Sequence, residues 1–111
     1  MRFLFVLHRS PSNLSGFETF VEAALLARLK GDAVGMYLLG DGVVLSRKKS
    51  NVSGILKDVI ASGCEIYVRR EDLAARGISA TELVDNAIVP PDFFDQMLDD
   101  IMERSDRVIC L

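Results

Sequence analysis

The sequence is poor in the side chains from which metal sites and disulfide frameworks are built. Its 111 residues include one histidine, His8, two cysteines, Cys64 and Cys110, and no tryptophan. No spacing of histidines, cysteines or acidic residues resembles a metal site, and we therefore expect no bound metal and no cofactor. Both cysteines lie inside apolar runs, which predicts reduced, buried thiols instead of a disulfide framework.

Long apolar segments and an excess of positive charge are also missing. No apolar run approaches the ~20 residues of a membrane span, and the first residues do not follow the pattern of a signal peptide. We therefore expect a cytoplasmic protein with no membrane segment. The 13 basic and 16 acidic side chains give a net charge of −3, which argues against a nucleic-acid-binding protein. The basic cluster at residues 47–49 is interpreted as part of a solvated loop, residues 46–51, whose structure the pattern leaves open.

What the sequence does contain is an alternation of apolar runs and helical stripes. Residues 3–7 are apolar without polar alternation, which is typical of a strand covered on both faces in a parallel sheet. Four further strands are predicted at residues 33–39, 64–68, 86–89 and 108–111. The order βαβαβαβαβ, with crossovers of suitable length, predicts a single α/β domain over residues 1–111 with five parallel strands.

Helical spacing of apolar residues predicts the helices that connect these strands. Ser15 and Glu18 have the spacing of a capping box at the start of the first helix, and Gly31 is placed to end it. The last helix has a stripe of large apolar side chains that we expect to face the sheet and, in part, to extend into a subunit contact. The stripe consists of Phe93, Phe94, Met97, Leu98, Ile101 and Met102.

Polar residues follow the first three predicted strands at their carboxyl ends, where open parallel sheets bind ligands. The candidate ligand-binding residues are His8, Ser10, Asn13, Asp41, Arg69 and Arg70. The two neighbouring guanidinium groups are suited to hold a carboxylate, a sulfate or a phosphate. The alternative is an exposed pair of arginines that Glu71 and Asp72 neutralise.

Four short segments, spread in order over most of the chain, carry a family resemblance. They are Leu7-His8-Arg9-Ser10-Pro11, Asp41-Gly42-Val43, the stretch at residues 71–77, and Asp92-Phe93-Phe94. With these segments the chain resembles the DsrE/DsrF/DsrH-like family of sulfur-relay proteins, and especially its DsrH or TusB branch. The resemblance implies a three-layer α/β/α domain with a five-stranded parallel sheet. It also implies a homo-oligomer, trimeric or hexameric, or a mixed oligomer with DsrE-like and DsrF-like subunits.

The sulfur-carrying cysteines that the resemblance implies are absent. Active DsrE-like members carry a cysteine just after the third strand, where this chain has Arg69, and DsrH-like members carry one in the first helix, where it has Phe20. Cys110 is the remaining thiol on the ligand-binding side of the sheet, and its apolar neighbours predict a buried, inert side chain. The resemblance therefore implies a non-catalytic or accessory sulfur-relay protein that binds a partner or a small anion. The alternatives are a stand-alone small-anion or nucleotide-binding domain and an active persulfide sulfurtransferase using Cys110.

Overall fold

The computed structural model describes residues 1–9 and 14–110, which form a parallel sheet flanked by helices. The strands are β1 (Arg2–Leu7), β2 (Ala33–Leu38), β3 (Glu65–Val68) and β4 (Arg107–Cys110). The α-helices are α1 (Leu14–Leu29), α2 (Ser53–Ala61), α3 (Arg70–Ala75) and α4 (Phe93–Asp99). All paired strands run parallel in the order β3-β2-β1-β4. The predicted α/β fold with a parallel sheet is confirmed.

The central strand β1 contributes to an apolar cluster on each face of the sheet. Leu4 and Val6 pack on one face in a small cluster that includes Phe93 of α4. Phe5 and Leu7 pack on the other face in a larger cluster, to which α1 and α2 contribute. Because side chains of a strand point alternately to opposite faces, the unbroken apolar run of β1 serves both clusters.

The predicted fifth strand at residues 86–89 is wrong, because this segment forms a single bridge. Ile88 pairs in parallel with Tyr67, and its backbone makes two hydrogen bonds of 2.8 Å with β3. On one side of Ile88, Asn86 adopts a left-handed conformation with φ of 68°. On the other side, Pro90 and Pro91 have no N–H to donate. The segment lies beside β3, but it is too short to form a ladder.

The ends of α1 agree with the prediction only at its carboxyl end. Gly31 adopts a φ of 86°, and the Asp32 N–H donates to the Ala27 carbonyl at 3.0 Å, which closes the helix in the manner of a glycine C-cap. At the other end the helix begins at Leu14, so that Ser15 lies inside it instead of preceding it.

The predicted apolar stripe of the last helix is only partly buried. Phe93 is buried, whereas Phe94, Leu98 and Met102 are exposed. The helix changes to a π-helix over Asp100–Arg104, and this wider turn places the buried Asp100 toward the sheet. Part of the stripe therefore faces outward in the single chain.

Two further expectations about burial are corrected by the structure. Cys110 is exposed, because β4 is an edge strand of the sheet that the described residues form, and all four of its residues are exposed. In the predicted solvated loop, Ser46 is buried and Arg47 is half-buried, since Arg47 pairs with Leu83 in an antiparallel bridge. Cys64 is buried, as predicted.

A buried ion pair joins the start of β1 to the π-helix. Arg2 is only 8% exposed, and its guanidinium donates two hydrogen bonds, of 2.9 and 2.7 Å, to the carboxylate of Asp100. The same carboxylate accepts hydrogen bonds from the hydroxyls of Tyr37 and Ser105. The third nitrogen of the Arg2 guanidinium donates to Glu65 at 3.0 Å. The Arg2 side chain thus connects β1 to β3 and to the π-helix, and Asp100 extends the network to β2 through Tyr37.

A glycine in β2 makes room for this pair, and hydrogen bonds to Asp100 lower the pKa of its carboxyl group. A Cβ atom on Gly35 would lie 2.6 Å from the Arg2 guanidinium, so β2 needs glycine where the arginine crosses it. Burial alone would raise the pKa of Asp100, but hydrogen bonds from Arg2, Ser105 and Tyr37 outweigh it and lower the pKa to about 2. The carboxylate is therefore charged throughout the physiological range.

Removing one partner of this pair is expected to destabilise the fold more than removing both. Arg2→Met leaves a buried charge unmatched and should lower the free energy of unfolding by about 3–5 kcal/mol in urea titrations. The double variant Arg2→Met with Asp100→Leu should regain much of that loss. The control, Arg107→Met, changes an exposed arginine and should stay within about 0.5 kcal/mol of the wild type. Equal stability of Arg2→Met and Arg107→Met would contradict the role of the pair.

The same carboxylate predicts a loss of stability in acid. The pKa of Asp100 lies below its ordinary value of 3.8 in the folded chain, so its contribution is complete above pH 5 and is lost as the pH falls through the folded pKa of about 2. The free energy of unfolding should fall by about 2 kcal/mol from this group. In Asp100→Asn, unfolding measured between pH 6 and pH 2 should show a lower stability and a flatter pH dependence. A slope as steep as that of the wild type would assign the acid sensitivity to other carboxylates.

Candidate functional site

The carboxyl ends of β1, β2 and β3 meet at one edge of the sheet. Backbone contacts hold together the residues that come directly after these strands. The Leu39 N–H donates to the Leu7 carbonyl, and the Arg69 N–H donates to the Leu38 carbonyl, each at 3.0 Å. Gly40, with a φ of 55°, begins a 3₁₀ helix (Gly40–Ser46) that packs so closely on the first strand that a Cβ atom there would lie 2.9 Å from the His8 carbonyl oxygen. The glycine turn is therefore required by close packing of backbone on backbone.

Asp72, in the first turn of α3, is the central acceptor at this edge. Its Oδ2 accepts hydrogen bonds from the Gly40 N–H at 2.8 Å and from Arg69 at 3.2 Å. Arg76 lies 3.6 Å from its other oxygen and also donates to Asp41 at 2.7 Å. Burial alone would raise the pKa of Asp72, but the Gly40 N–H and the two guanidinium groups hold it below its ordinary value. Asp41, Arg76, Asp72 and Arg69 thus form a continuous series of side chains in which negative and positive charges alternate.

Arg69 is the residue at the position where the resemblance implies a sulfur-carrying cysteine, and its side chain already has partners. Besides Asp72, it forms an ion pair with Glu71 at 3.5 Å, and its guanidinium stacks over the ring of Phe94 at 4.6 Å. A cavity of about 190 Å³ opens beside it. Three carboxylate side chains contribute to the lining of this cavity, from Glu71, Asp92 and Asp95. An anion there would face like charges and a guanidinium that already has partners.

The structure brings together only part of the predicted ligand-binding set. Asp41 and Arg69 belong to the same network through Asp72 and Arg76. His8 is exposed after β1, and Arg70 is exposed at the first residue of α3. Ser10 and Asn13 lie outside the described residues. The prediction of a small-anion site at these six residues remains untested.

Arg76 is a site residue that the sequence patterns did not single out, and they indicated Asp72 only as a neutralising neighbour of the arginine pair. The spacing of four residues between Asp72 and Arg76 on a helix is the signal that was available, since such pairs lie on one helix face. The alternative in which acidic neighbours neutralise Arg69 describes the observed contacts, because both Glu71 and Asp72 pair with it.

The two thiols have different surroundings. Cys64 is buried near the hydroxyl of Ser62, and burial raises the pKa of its thiol, which makes it a poor nucleophile. Cys110 is exposed and lies opposite Val6 in the pairing of β1 with β4, close to the carboxyl end of β1. The expectation of a buried Cys110 is therefore wrong, and its thiol is open to reagents.

Two classes of feature are absent from the described residues. Within residues 1–9 and 14–110, no three His, Cys, Asp or Glu side chains are grouped so that they could hold a metal ion. In the same part of the chain, every helix is too short or too polar to cross a membrane.

Loss of the Asp72 carboxylate is expected to loosen the turn that follows β2. Asp72→Ala removes the acceptor of the Gly40 N–H and leaves Arg69 without its hydrogen-bonded partner, which should lower the free energy of unfolding by about 1–3 kcal/mol. Hydrogen exchange of the Gly40 amide, followed by NMR, should become faster. Asp58→Ala, which removes an exposed carboxylate from α2, serves as the control. Unchanged exchange at Gly40 in Asp72→Ala would contradict the central position of Asp72.

Comparisons with known proteins give the context of this arrangement. Uncharacterized protein MJ0989 of Methanocaldococcus jannaschii is 28% identical over 93 residues, which cover 78% of this chain and 82% of that protein. Among solved structures, protein MTH1491 from Methanobacterium thermoautotrophicum, titled a protein of unknown function, has a TM-score of 0.84 at 18% identity, covering 99% of this chain and 98% of that one. The ychN protein from E. coli has a TM-score of 0.78 at 16% identity, with both chains covered completely.

These structural similarities establish the fold, and a sequence model establishes the family. The model described as "DsrH like protein" matches residues 9–104, which include β2, β3 and all four α-helices. The segments after the strands and at the start of the last helix indicated a resemblance to this family. That resemblance is thus confirmed. The chain belongs to the DsrH-like family.

Proposed function

We propose that this chain is a non-catalytic, accessory subunit of a sulfur-relay system, and that it acts by assembling with partner subunits. The observation that carries the proposal is the set of contacts of Arg69. This residue occupies the position of the sulfur-carrying cysteine, and its guanidinium pairs with Glu71 and Asp72 and stacks on Phe94. An arginine held in this way offers no nucleophile for a persulfide.

The second position that carries a cysteine in related proteins is equally unsuited to sulfur transfer. Phe20 is buried and packs edge-to-face on Phe5, with the ring centroids 4.9 Å apart. This side chain belongs to the core beneath α1, where a sulfur donor has no access. Both family positions are therefore filled by side chains with structural contacts.

Exposed apolar side chains favour assembly as the mode of action. They lie on α1, on β4 and on the last helix, and include Leu26, Leu29, Phe94, Leu98, Met102, Val108 and Ile109. An apolar groove of about 210 Å³ runs between α1 and β4, with Leu26 and Ile109 in its walls. An exposed apolar groove with apolar neighbours is a feature that subunit contacts use. We propose a homo-oligomer, trimeric or hexameric, or a mixed oligomer with DsrE-like and DsrF-like subunits, in the cytoplasm.

Oligomerisation through the α1 and β4 surface can be tested by light scattering coupled to size-exclusion chromatography. Ile109→Glu places a charge in the groove and should shift the wild-type oligomer toward the monomer. Ile88→Glu is the matched control, since Ile88 is 42% exposed, nearly the same as the 40% of Ile109, but lies at the opposite edge of the sheet. A monomeric wild type, or equal masses for the two variants, would argue against this surface.

The accessory role predicts the outcome of a sulfur-loading assay. After incubation with a cysteine desulfurase and cysteine, the intact mass of the wild-type chain should show no added sulfur. Arg69→Cys restores a thiol at the position that active members use and should accept sulfur. A lack of added sulfur on the wild-type chain could also reflect a failed assay. Sulfur loading of Arg69→Cys therefore also serves as the positive control.

A second candidate function is an active persulfide sulfurtransferase, and the exposure of Cys110 favours it. If the wild-type chain gains sulfur that Cys110→Ser abolishes, the accessory role is wrong and this alternative replaces it. The remaining alternative, a stand-alone anion or nucleotide-binding domain, has little support at Arg69, whose guanidinium is already paired.

A further inference from the structure

A second cavity, of about 200 Å³, lies apart from the network around Asp72. Arg47, Lys48 and Lys49 line it on one side, and Thr81 and Glu82 line it on the other. Backbone contacts hold the two sides together: the bridge between Arg47 and Leu83, and the Lys48 N–H, which donates to the Glu82 carbonyl at 2.7 Å. The basic cluster thus forms one side of a cavity, although Lys48 and Lys49 are exposed.

Arg47 differs from the other partly buried arginines in its lack of a partner. Its Nε is buried without a hydrogen bond, and its guanidinium has no ion pair within the described part of the chain. Arg2 and Arg28 donate to a carboxylate or a carbonyl, and Arg69, whose Nε is also buried without a hydrogen bond, pairs with Glu71 and Asp72. A buried Nε without an acceptor is unfavourable, and an anion bound beside Arg47 would add an acceptor for its guanidinium.

The other lining residues leave this cavity positive, although the whole chain is negative. Lys49 is exposed, and Lys48 has only a long contact of 3.9 Å to the exposed Asp85, which solvent screens. Glu82 is the one carboxylate among the five lining residues. The hydroxyl of Thr81 lies 2.9 Å from that of Ser79 and supplies a neutral group that can donate or accept.

We infer that this cavity binds a tetrahedral oxyanion, phosphate or sulfate, either free or as the charged group of a small molecule. Its volume is below the range of pockets that enclose a whole drug-sized ligand, so it suits a compact group with the rest of the molecule in solvent. Three basic side chains favour a doubly charged group over a single carboxylate, because each can donate a charge-assisted hydrogen bond. This inference does not depend on the proposed sulfur-relay function.

Calorimetric titration of the full chain with inorganic phosphate, and with sulfate, tests the site. We expect saturable binding of one ion per chain that weakens as sodium chloride is added. Arg47→Gln should weaken binding at least about tenfold, and Lys49→Gln should also weaken it, since both remove a charged donor. Glu82→Gln should tighten binding because it removes a like charge. Lys57→Gln, an exposed lysine of α2 outside the cavity, should leave binding unchanged.

Two outcomes would overturn the inference. These are the absence of saturable binding for both ions, and equal affinities for Arg47→Gln, Lys49→Gln and Lys57→Gln. If Arg47→Gln does not fold by circular dichroism, Lys49→Gln and Glu82→Gln decide the result, because both change exposed side chains. Titration with ribose 5-phosphate then identifies the source: tighter binding than phosphate indicates a small phosphorylated molecule, and equal binding indicates the free ion. Both results retain the oxyanion site.

Discussion

The architecture depends on the buried pair of Arg2 and Asp100, because it joins segments that are distant along the chain. Arg2 opens β1, Asp100 belongs to the π-helix, and the bonds of Tyr37 and Glu65 to this pair extend the connection to β2 and β3. The Arg2 N–H also donates to Asp106, just before β4. The π-helix widens the turn at the residue that must reach the arginine, which gives the helical irregularity a physical cause.

The amino-acid pattern predicts the local elements well, because each follows from neighbouring residues. The apolar run of β1 and the glycine end of α1 are examples, since burial on both faces and a positive φ leave a direct mark in the sequence. The failures concern contacts between distant residues. Nothing near Arg2 identifies Asp100 as its partner, and nothing near Cys110 reveals that its strand is an edge.

The candidate site shows the same division between local and distant information. The parallel order of the strands indicates that Asp41 and Arg69 lie at the same edge of the sheet, where they belong to one network of charged side chains. The network that neutralises their charges could not be predicted from neighbouring residues. It depends on the position of α3, which places Asp72 beside Gly40. At the other cavity, the sequence displayed the basic cluster, but its second wall comes from residues more than thirty positions further on. Charge in a sequence therefore does not reveal whether a partner neutralises it.

The pairing of β1 with β4 has a consequence for how the chain is made. The first strand of the described chain lies between β2 and the last strand, so one edge of β1 stays unpaired until residues 107–110 have left the ribosome. Up to that point the nascent chain exposes an apolar strand edge, which is the kind of surface on which chains aggregate. Arg2 also lacks its ion-pair partner until Asp100 has been synthesised. The sheet can be completed only after synthesis of this segment, and its protection until then falls to chaperones or to rapid closure.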